Sequence, residues 1–289
     1  MLPSGIQSAS SQAQYLLAGS DGTTWQDIDA ATLALNIPSG PAPATVVLSG
    51  NADLWTERPG VNQDIGIFLS AAGGGDQLVG WKESGGNAGT FSPNAAFVQA
   101  VVPLAAGTSY IAKLKWKTNV STPGTIRAGA GLGPEYSPTT LTAQVVASGT
   151  STASSSSQYM LSRSDGTTWQ DIDQTAALTV AIPALPADQT ILISANADLW
   201  TQNPGINQDL GIFVNDQLVA WKESGGFAGT FSPNAAFVQI AFRAVADQPY
   251  VVRLEWKSNI PTAGTIRAGA GLGPQYSPTS LTVEIPPAG

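Results

Sequence analysis

The sequence contains neither cysteine nor histidine. The absence of cysteine excludes disulfides, thiol chemistry and metal sites with thiolate ligands, and the absence of histidine excludes imidazole metal ligation and a Ser-His-Asp triad. Charged residues are also scarce, at 11% of 289 residues, against about 25% in an average soluble protein. The 12 basic and 20 acidic side chains give a net charge of −8. A chain of that sign is not expected to bind nucleic acid through its phosphates.

Long apolar runs and targeting signals are missing as well. No stretch approaches the roughly 20 apolar residues of a membrane-spanning helix. Residues 1–11 have neither the basic start nor the apolar centre of a signal peptide. We therefore expect no membrane insertion and see no signal peptide. A chain without cysteine is compatible with the cytosol, but we expect a location outside the cell or on the surface of a particle such as a virion.

The chain contains an internal duplication. A period near 140 residues is too long for a solenoid repeat and has the length of a complete domain. Three segments recur almost unchanged: 20–29 as 164–173, 81–99 as 221–239, and 124–142 as 264–282. Between the copies lies a stretch rich in serine and threonine, which by composition is a flexible linker. The predicted organisation is an N-terminal arm (1–12), repeat 1 (13–146), a Ser-rich linker (147–157) and repeat 2 (158–289).

Within each repeat, apolar residues alternate with the period of a β-strand. In residues 250–257, Leu254 and Trp256 share one face and the other face is charged. Residues 111–117 repeat this pattern, which predicts that Trp116 and Trp256 lie in the core. The 31 glycines and 20 prolines supply turns at the spacing of a many-stranded sandwich. We predict an all-β chain of two tandem antiparallel β-sandwich domains, jelly-roll-like, with roughly eight to ten strands each.

Two turns can be predicted from local chemistry. Asn215 and Asp216 lie between two apolar runs and predict a tight hairpin. The segment Gly129–Gly133 resembles a phosphate-binding loop only superficially, because it contains no lysine and prolines follow it. It is predicted to be a Gly-rich strand end where another backbone approaches closely.

A mixture of tryptophans, amides and carboxylates recurs in both repeats on segments expected to be loops. Such a mixture suits a saccharide, because a flat ring stacks on the pyranose face and fixed polar groups bind the hydroxyls. The other interpretation, which the sequence leaves open, is that each tryptophan fills the core and the polar residues cap turns. The candidate ligand-binding residues are Asn51, Asp53, Trp55, Asn62, Asp64, Trp81 and Glu83 in repeat 1, and Asn196, Asp198, Trp200, Asn207, Asp209, Trp221 and Glu223 in repeat 2.

The first duplicated segment is also rich in aspartate and suggests a calcium site, because calcium prefers oxygen ligands. Asp27 and Asp29 are two residues apart and would share one face of a strand. The spacing is not that of an EF-hand loop, and the alternative is an Asx-turn at Asp21 followed by a solvated strand end. No other cofactor is expected. The candidate metal ligands are Asp21, Asp27, Asp29, Asp165, Asp171 and Asp173.

Nothing in the spacing places two carboxylates across a cleft, as a glycosidase requires, and we expect that the chain is not an enzyme. The leading hypothesis is a structural or attachment protein that displays duplicated β-sandwiches on the outside of a particle or cell, such as a virion decoration or fibre component. The alternative is a tandem carbohydrate-binding, lectin-like protein with one site per repeat. The expected partners are protein neighbours in an assembly, including other copies in a homo-oligomer, or surface glycans.

Overall fold

The described part of the chain is built from β-strands, with no helix. It divides into two compact units, Met1–Val146 and Ala147–Gly289. Among the described residues there is accordingly no helix that could cross a membrane. The computed structural model describes residues 6–86, 89, 93–131, 133–146, 149–225, 229 and 231–286.

The strands of the first unit follow from its alternating pattern and its turn residues. They are β1 (Ile6–Ser11), β2 (Tyr15–Ala18), β3 (Gln26–Asp27), β4 (Ala34–Ile37), β5 (Ala44–Thr56), β6 (Gln63–Ala71), β7 (Gln77–Ser84), β8 (Asn94–Leu104), β9 (Tyr110–Thr118), β10 (Thr125–Ala128) and β11 (Thr139–Val146).

The second unit repeats this series strand for strand. Its strands are β12 (Ser151–Ser155), β13 (Tyr159–Ser162), β14 (Gln170–Asp171), β15 (Thr179–Ile182), β16 (Gln189–Thr201), β17 (Gln208–Val214), β18 (Gln217–Ser224), β19 (Asn234–Ala244), β20 (Tyr250–Ser258), β21 (Thr265–Ala268) and β22 (Thr279–Glu284).

The strands of each unit form two antiparallel sheets in jelly-roll order. In the six-stranded sheet of the first unit, β5 pairs with β8 on one side and with β10 and β11 on the other, and β2 and β1 extend these two. In the five-stranded sheet, the order is β7, β6 and β9, with β3 and β4 sharing the far side of β9. Counting each split pair as one strand gives the two four-stranded layers of a jelly roll. The predicted fold class is confirmed in both units.

The core of each unit lies between its two sheets. Trp116 and Trp256 are each 2% exposed and Leu254 is 1% exposed, which confirms the alternation expected from the sequence. The hairpin prediction is also confirmed, because Asn215 and Asp216 have φ values of 46° and 65°. Left-handed backbone at both positions is what a two-residue hairpin turn requires.

The predicted N-terminal arm and the predicted linker each contribute a strand. β1 lies in the predicted N-terminal arm and pairs with β11, and β12 lies within residues 147–157 and pairs with β22. The interpretation of 151–155 as flexible linker is therefore corrected. A sheet edge is covered through backbone N–H and C=O groups, so a segment of serine and threonine serves as well as an apolar one.

Candidate functional site

The outer face of the five-stranded sheet carries three aromatic rings in each unit. We call this group the aromatic platform, and it consists of Trp25, Phe68 and Trp81 in the first unit and of Trp169, Phe213 and Trp221 in the second. In the second unit the ring centroid of Trp169 lies 5.6 Å from that of Phe213 and 6.4 Å from that of Trp221. The equivalent distances in the first unit are 5.4 and 6.4 Å. All four pairs are edge-to-face, the arrangement that aromatic quadrupoles favour.

A glycine at the centre of the outer face makes room for this platform. Gly211 of β17 lies opposite Trp221 of β18. A Cβ atom on Gly211 would lie 2.8 Å from a ring carbon of Trp169, and one on Gly66 would lie 3.0 Å from Trp25. Because glycine has no side chain, the ring of the central tryptophan can lie close to the strand at this position, which we call the glycine seat.

One ring of the second platform faces solvent over a large area. Trp221 is 50% exposed, and the neighbouring Leu218 is 39% exposed. This exposed apolar surface is a candidate binding surface.

A connected cluster of polar side chains borders the platform. In the second unit Lys257 Nζ donates a hydrogen bond to Asp209 Oδ2 (2.5 Å) and lies 5.2 Å from the ring centroid of Trp169. Asn207 Nδ2 donates to Glu223 Oε1 (2.5 Å), and Asp209 faces Glu223 across the β17–β18 ladder. The platform thus has a rim of ammonium, carboxylate and amide groups in fixed positions.

The first unit repeats this rim. Lys117 Nζ donates to Asp64 Oδ2 and lies 5.2 Å from the ring centroid of Trp25. Asn62 Nδ2 donates to Glu83 Oε1 at 2.7 Å. The same four residue types therefore make the same bonds beside both platforms, although Asn62 and Glu83 are buried whereas Glu223 is exposed.

Burial raises the pKa of Asp209, one of the carboxyls in the rim of the second platform. Asp209 is 2% exposed. Desolvation raises the pKa of Asp209, and the charge of Glu223 raises it further, while the hydrogen bond and charge of Lys257 act in the opposite direction. The net rise means that the ammonium only partly offsets the cost of burying the carboxylate.

The structure divides the candidate ligand-binding residues between two sheets. The residues that border or form the platforms are Asn62, Asp64, Trp81, Glu83, Asn207, Asp209, Trp221 and Glu223. The remaining candidates lie at alternate positions of β5 and β16, in the six-stranded sheets: Asn51, Asp53, Trp55, Asn196, Asp198 and Trp200. Of these, Asn196 and Asp198 are fully buried. Most of these positions are in strands, where the sequence suggested loops.

The tryptophans of the six-stranded sheets have their own partners. Trp55 Nε1 donates to the carbonyl oxygen of Gly129 at 3.3 Å, and the guanidinium carbon of Arg127 lies 4.8 Å from its ring centroid. Trp200 makes the same contacts with the second unit's Gly269 and Arg267. A guanidinium stacked on a ring occupies a face that a sugar would use. Because Trp55 and Trp81 also lie on different sheets, the structure does not bring them into one site.

Sequence reasoning missed several members of the platform. Trp25 and Trp169 lie in the duplicated segment that suggested a calcium site, and the two lysines of the rim belong to the charged faces of residues 111–117 and 250–257. The available signal was Gly66 and Gly211, each inside an apolar strand pattern. A glycine in such a place indicates that another group approaches the backbone closely.

Two of the candidate metal ligands cap turns. Asp165 Oδ1 accepts hydrogen bonds from the backbone N–H groups of Thr167 (2.8 Å) and Thr168 (2.7 Å), and Oδ2 accepts one from the Thr168 hydroxyl. These bonds hold the pKa of Asp165 far below its usual value. Asp21 has the same turn in the first unit. This geometry is that of an Asx-turn.

The other candidate metal ligands also have partners within their own unit. Asp27 lies 3.4 Å from Lys115 Nζ, and β3 ends at Asp27, so Asp29 does not share a strand face with it. Asp171 lies 3.7 Å from Arg253, while Asp29 and Asp173 accept backbone hydrogen bonds from the turns that follow them. Across the described ranges no three acidic side chains come together as metal ligands would.

No protein-family model matches the chain, and no curated protein matches it. Several solved structures resemble it along most of its length. One is PNGase F, a glycosylasparaginase from Flavobacterium meningosepticum, with 9% identity and a TM-score of 0.41 over 98% of this chain and 97% of that chain. Another is the tandem CBM22 domain of a Paenibacillus barcinonensis protein, with 10% identity and a TM-score of 0.26 over 95% and 91% of the two chains. A third is the VP2 subviral particle of infectious bursal disease virus, with 13% identity and a TM-score of 0.31 over 97% and 72%.

These comparisons correct one expectation. The sequence led us to expect that the chain is not an enzyme, and an enzyme is among the solved structures that resemble it over almost the whole chain. The exclusion of catalysis is wrong and is dropped, because the absence of a familiar carboxylate spacing does not rule out other reaction geometries. At these identities and TM-scores the resemblances identify neither a reaction nor a ligand.

Proposed function

We propose that the chain is a carbohydrate-binding protein whose saccharide sites are the two aromatic platforms. The observation that carries this proposal is the half-exposed Trp221 ring, held edge-to-face against Trp169 and bordered by a polar rim. A pyranose has an apolar C–H face that stacks on an exposed ring and hydroxyls that bind fixed polar groups at its edge.

The rim supplies both kinds of hydrogen-bonding group. Glu223 presents carboxylate oxygens and Asn207 an amide, and the positive charge of Lys257 lies beside the Trp169 ring. Because these side chains already bond to one another, a ligand meets groups that are ordered in advance. Preorganised groups lose less conformational entropy when the ligand binds.

The two copies agree at every position of the platform. Trp25, Gly66, Phe68 and Trp81 correspond to identical residues of the second repeat. Two sites built from the same residues in one chain raise the apparent affinity for a surface that carries many copies of a glycan. This supports a role in attachment to a glycan-coated surface, outside the cell or on a particle.

The proposal is tested with a glycan array, followed by calorimetry on the glycans that bind. Trp221→Ala removes the exposed ring, and truncating an aromatic anchor of a binding site costs about 2 kcal/mol, or about 30-fold in affinity. Trp81→Ala is the equivalent change in the first unit, and the double variant is expected to lose binding.

Trp200→Ala is the matched control, since it removes a tryptophan from the six-stranded sheet. Binding that is lost with Trp200→Ala and retained without Trp81 and Trp221 would place the site on the other sheet and refute the proposal. An array on which no glycan binds would refute it as well. The calorimetry samples are also analysed for cleaved products, which would reveal turnover.

A further inference from the structure

The two platforms differ in charge at one central position. Gly66 lies between Trp81 of β7 and Lys115 of β9, whereas Gly211 lies between Trp221 of β18 and Glu255 of β20. The rings and the glycine seat are unchanged. The residue that completes the row across the sheet is therefore a cation in one unit and an anion in the other.

Every other charged position around the platform keeps its sign. At these positions the first platform has three cations and four anions, for a formal charge of −1, and the second platform has two cations and five anions, for a formal charge of −3. The first set is Lys113, Lys115, Lys117, Asp27, Asp64, Asp76 and Glu83, and the second is Arg253, Lys257, Asp171, Asp209, Asp216, Glu223 and Glu255. The whole difference of two charges comes from a single substitution.

In the first unit the central cation is held by two carboxylates. Lys115 Nζ lies 2.7 Å from Asp76 and 3.4 Å from Asp27, and 5.0 Å from the ring centroid of Phe68. Its charge is thus placed directly against the platform. A ligand cation stacked on these rings would meet a like charge.

In the second unit the two equivalent aspartates contact an arginine instead of the central residue. Arg253 contacts Asp216 at 2.5 Å and Asp171 at 3.7 Å, and Glu255 Oε1 accepts a hydrogen bond from the same guanidinium at 3.1 Å. Three carboxylates therefore surround one arginine. The excess negative charge lies beside Trp169 when Glu255 is ionised, and burial raises the pKa of Glu255.

We propose that Glu255 makes the second platform prefer cationic amino sugars, with free amines, and that Lys115 makes the first platform disfavour them. This inference rests on the proposed carbohydrate binding and adds the charge of the sugar that each platform selects. A change of two charges within several ångströms of the ligand amine, in a medium close to water, corresponds to about tenfold in affinity at low salt. The factor shrinks as salt screens the charges.

The test uses the full-length chain and two oligosaccharides of the same backbone. Chitosan hexasaccharide carries free amines that are protonated at mildly acidic pH, and chitin hexasaccharide carries neutral acetamides. Trp81→Ala leaves the second platform intact, and Trp221→Ala leaves the first. We expect the affinity ratio of the charged to the neutral hexasaccharide to be about tenfold higher in Trp81→Ala than in Trp221→Ala at low ionic strength.

Charge exchange then isolates the central residue. Glu255→Lys in the Trp81→Ala chain should lower the ratio, and Lys115→Glu in the Trp221→Ala chain should raise it, with the affinity for the neutral hexasaccharide unchanged. Circular dichroism and unfolding curves show whether each variant is folded. If the charge exchange prevents folding, Glu255→Gln and Lys115→Gln replace it. Each changes one charge instead of two, so the logarithm of the affinity ratio should change by about half as much.

The outcomes separate the two proposals. Equal ratios for both platforms that do not respond to charge exchange refute the charge preference and leave carbohydrate binding in place. Wild-type chain that binds neither hexasaccharide also refutes the charge preference, while the glycan array decides carbohydrate binding by itself.

Discussion

Replacing Lys257 by methionine removes the cation that lies between Asp209 and Trp169. Asp209 is 2% exposed, and the Lys257 side chain is 15% exposed. Removing one partner of a buried ion pair costs about 3–5 kcal/mol, because the other charge is left unpaired in a poorly solvated site. Methionine keeps much of the apolar length of the lysine stem. We expect the free energy of unfolding of the second unit to fall by about 4 kcal/mol at neutral pH.

The loss of stability caused by Lys257→Met should be larger at neutral pH than in acid. Burial already raises the pKa of Asp209, and the variant loses the lysine that lowers it. A carboxyl whose pKa is higher in the folded state binds protons on folding, so it contributes most to stability at low pH. That contribution is lost as pH rises through the folded pKa. The cost of Lys257→Met should therefore shrink to about 1 kcal/mol in acid, where Asp209 is neutral and only hydrogen bonds are lost.

Urea unfolding followed by tryptophan fluorescence, from acid to neutral pH, measures this dependence. Lys117→Met makes the same change beside Asp64 and shows whether the first unit behaves alike. Adding Asp209→Asn to Lys257→Met should recover most of the lost stability at neutral pH. A cost that is the same at every pH, together with no recovery in the double variant, would refute the argument from a buried unpaired carboxylate.

Four further predictions concern the platform, the core and the aspartate turns. Gly211→Ala should weaken saccharide binding and cost about 1–3 kcal/mol in urea unfolding, because its Cβ would lie 2.8 Å from Trp169. Trp256→Ala should cost about 3–5 kcal/mol in the same assay, since the ring is fully buried in the core. Asp165→Asn should lower the unfolding midpoint at neutral pH but not in strong acid. The pKa of Asp165 is lowered, so its contribution exists above the ordinary aspartate pKa and is lost as pH falls through the folded value. A chelator should leave the melting temperature unchanged if the aspartates only cap turns, and a fall would establish the calcium site.

The sequence was most informative where the pattern within a single strand determines which side chains are buried. Alternation over 250–257 placed Trp256 and Leu254 correctly, because a strand between two sheets must bury every second residue. The duplication led to two units of one fold, and the jelly-roll-like expectation came by analogy with domains of this length, whereas the strand pairing came only from the structure. Composition failed at 151–155, because pairing at a sheet edge depends on backbone groups that every residue has.

The candidate site was harder to predict because it is assembled across strands. Trp169 and Trp221 are 52 positions apart in the sequence, and only the register of β14, β20, β17 and β18 brings them together. Trp200, like Trp221, is a tryptophan close to amide and carboxylate residues in the sequence, yet it lies on the other sheet. Residue type alone does not distinguish these environments, since the face of a strand position depends on pairing that short-range patterns do not specify.

The lengthened turn between β6 and β7 offers a place for a reporter. Gly75 is exposed, and a Cβ atom there would meet no other atom within 4 Å. The next residue, Asp76, contacts the central lysine of the first platform. Because the chain has no cysteine, Gly75→Cys would create a single thiol for an environment-sensitive fluorophore. Labelled protein would then signal occupancy of one platform without a signal from its duplicate.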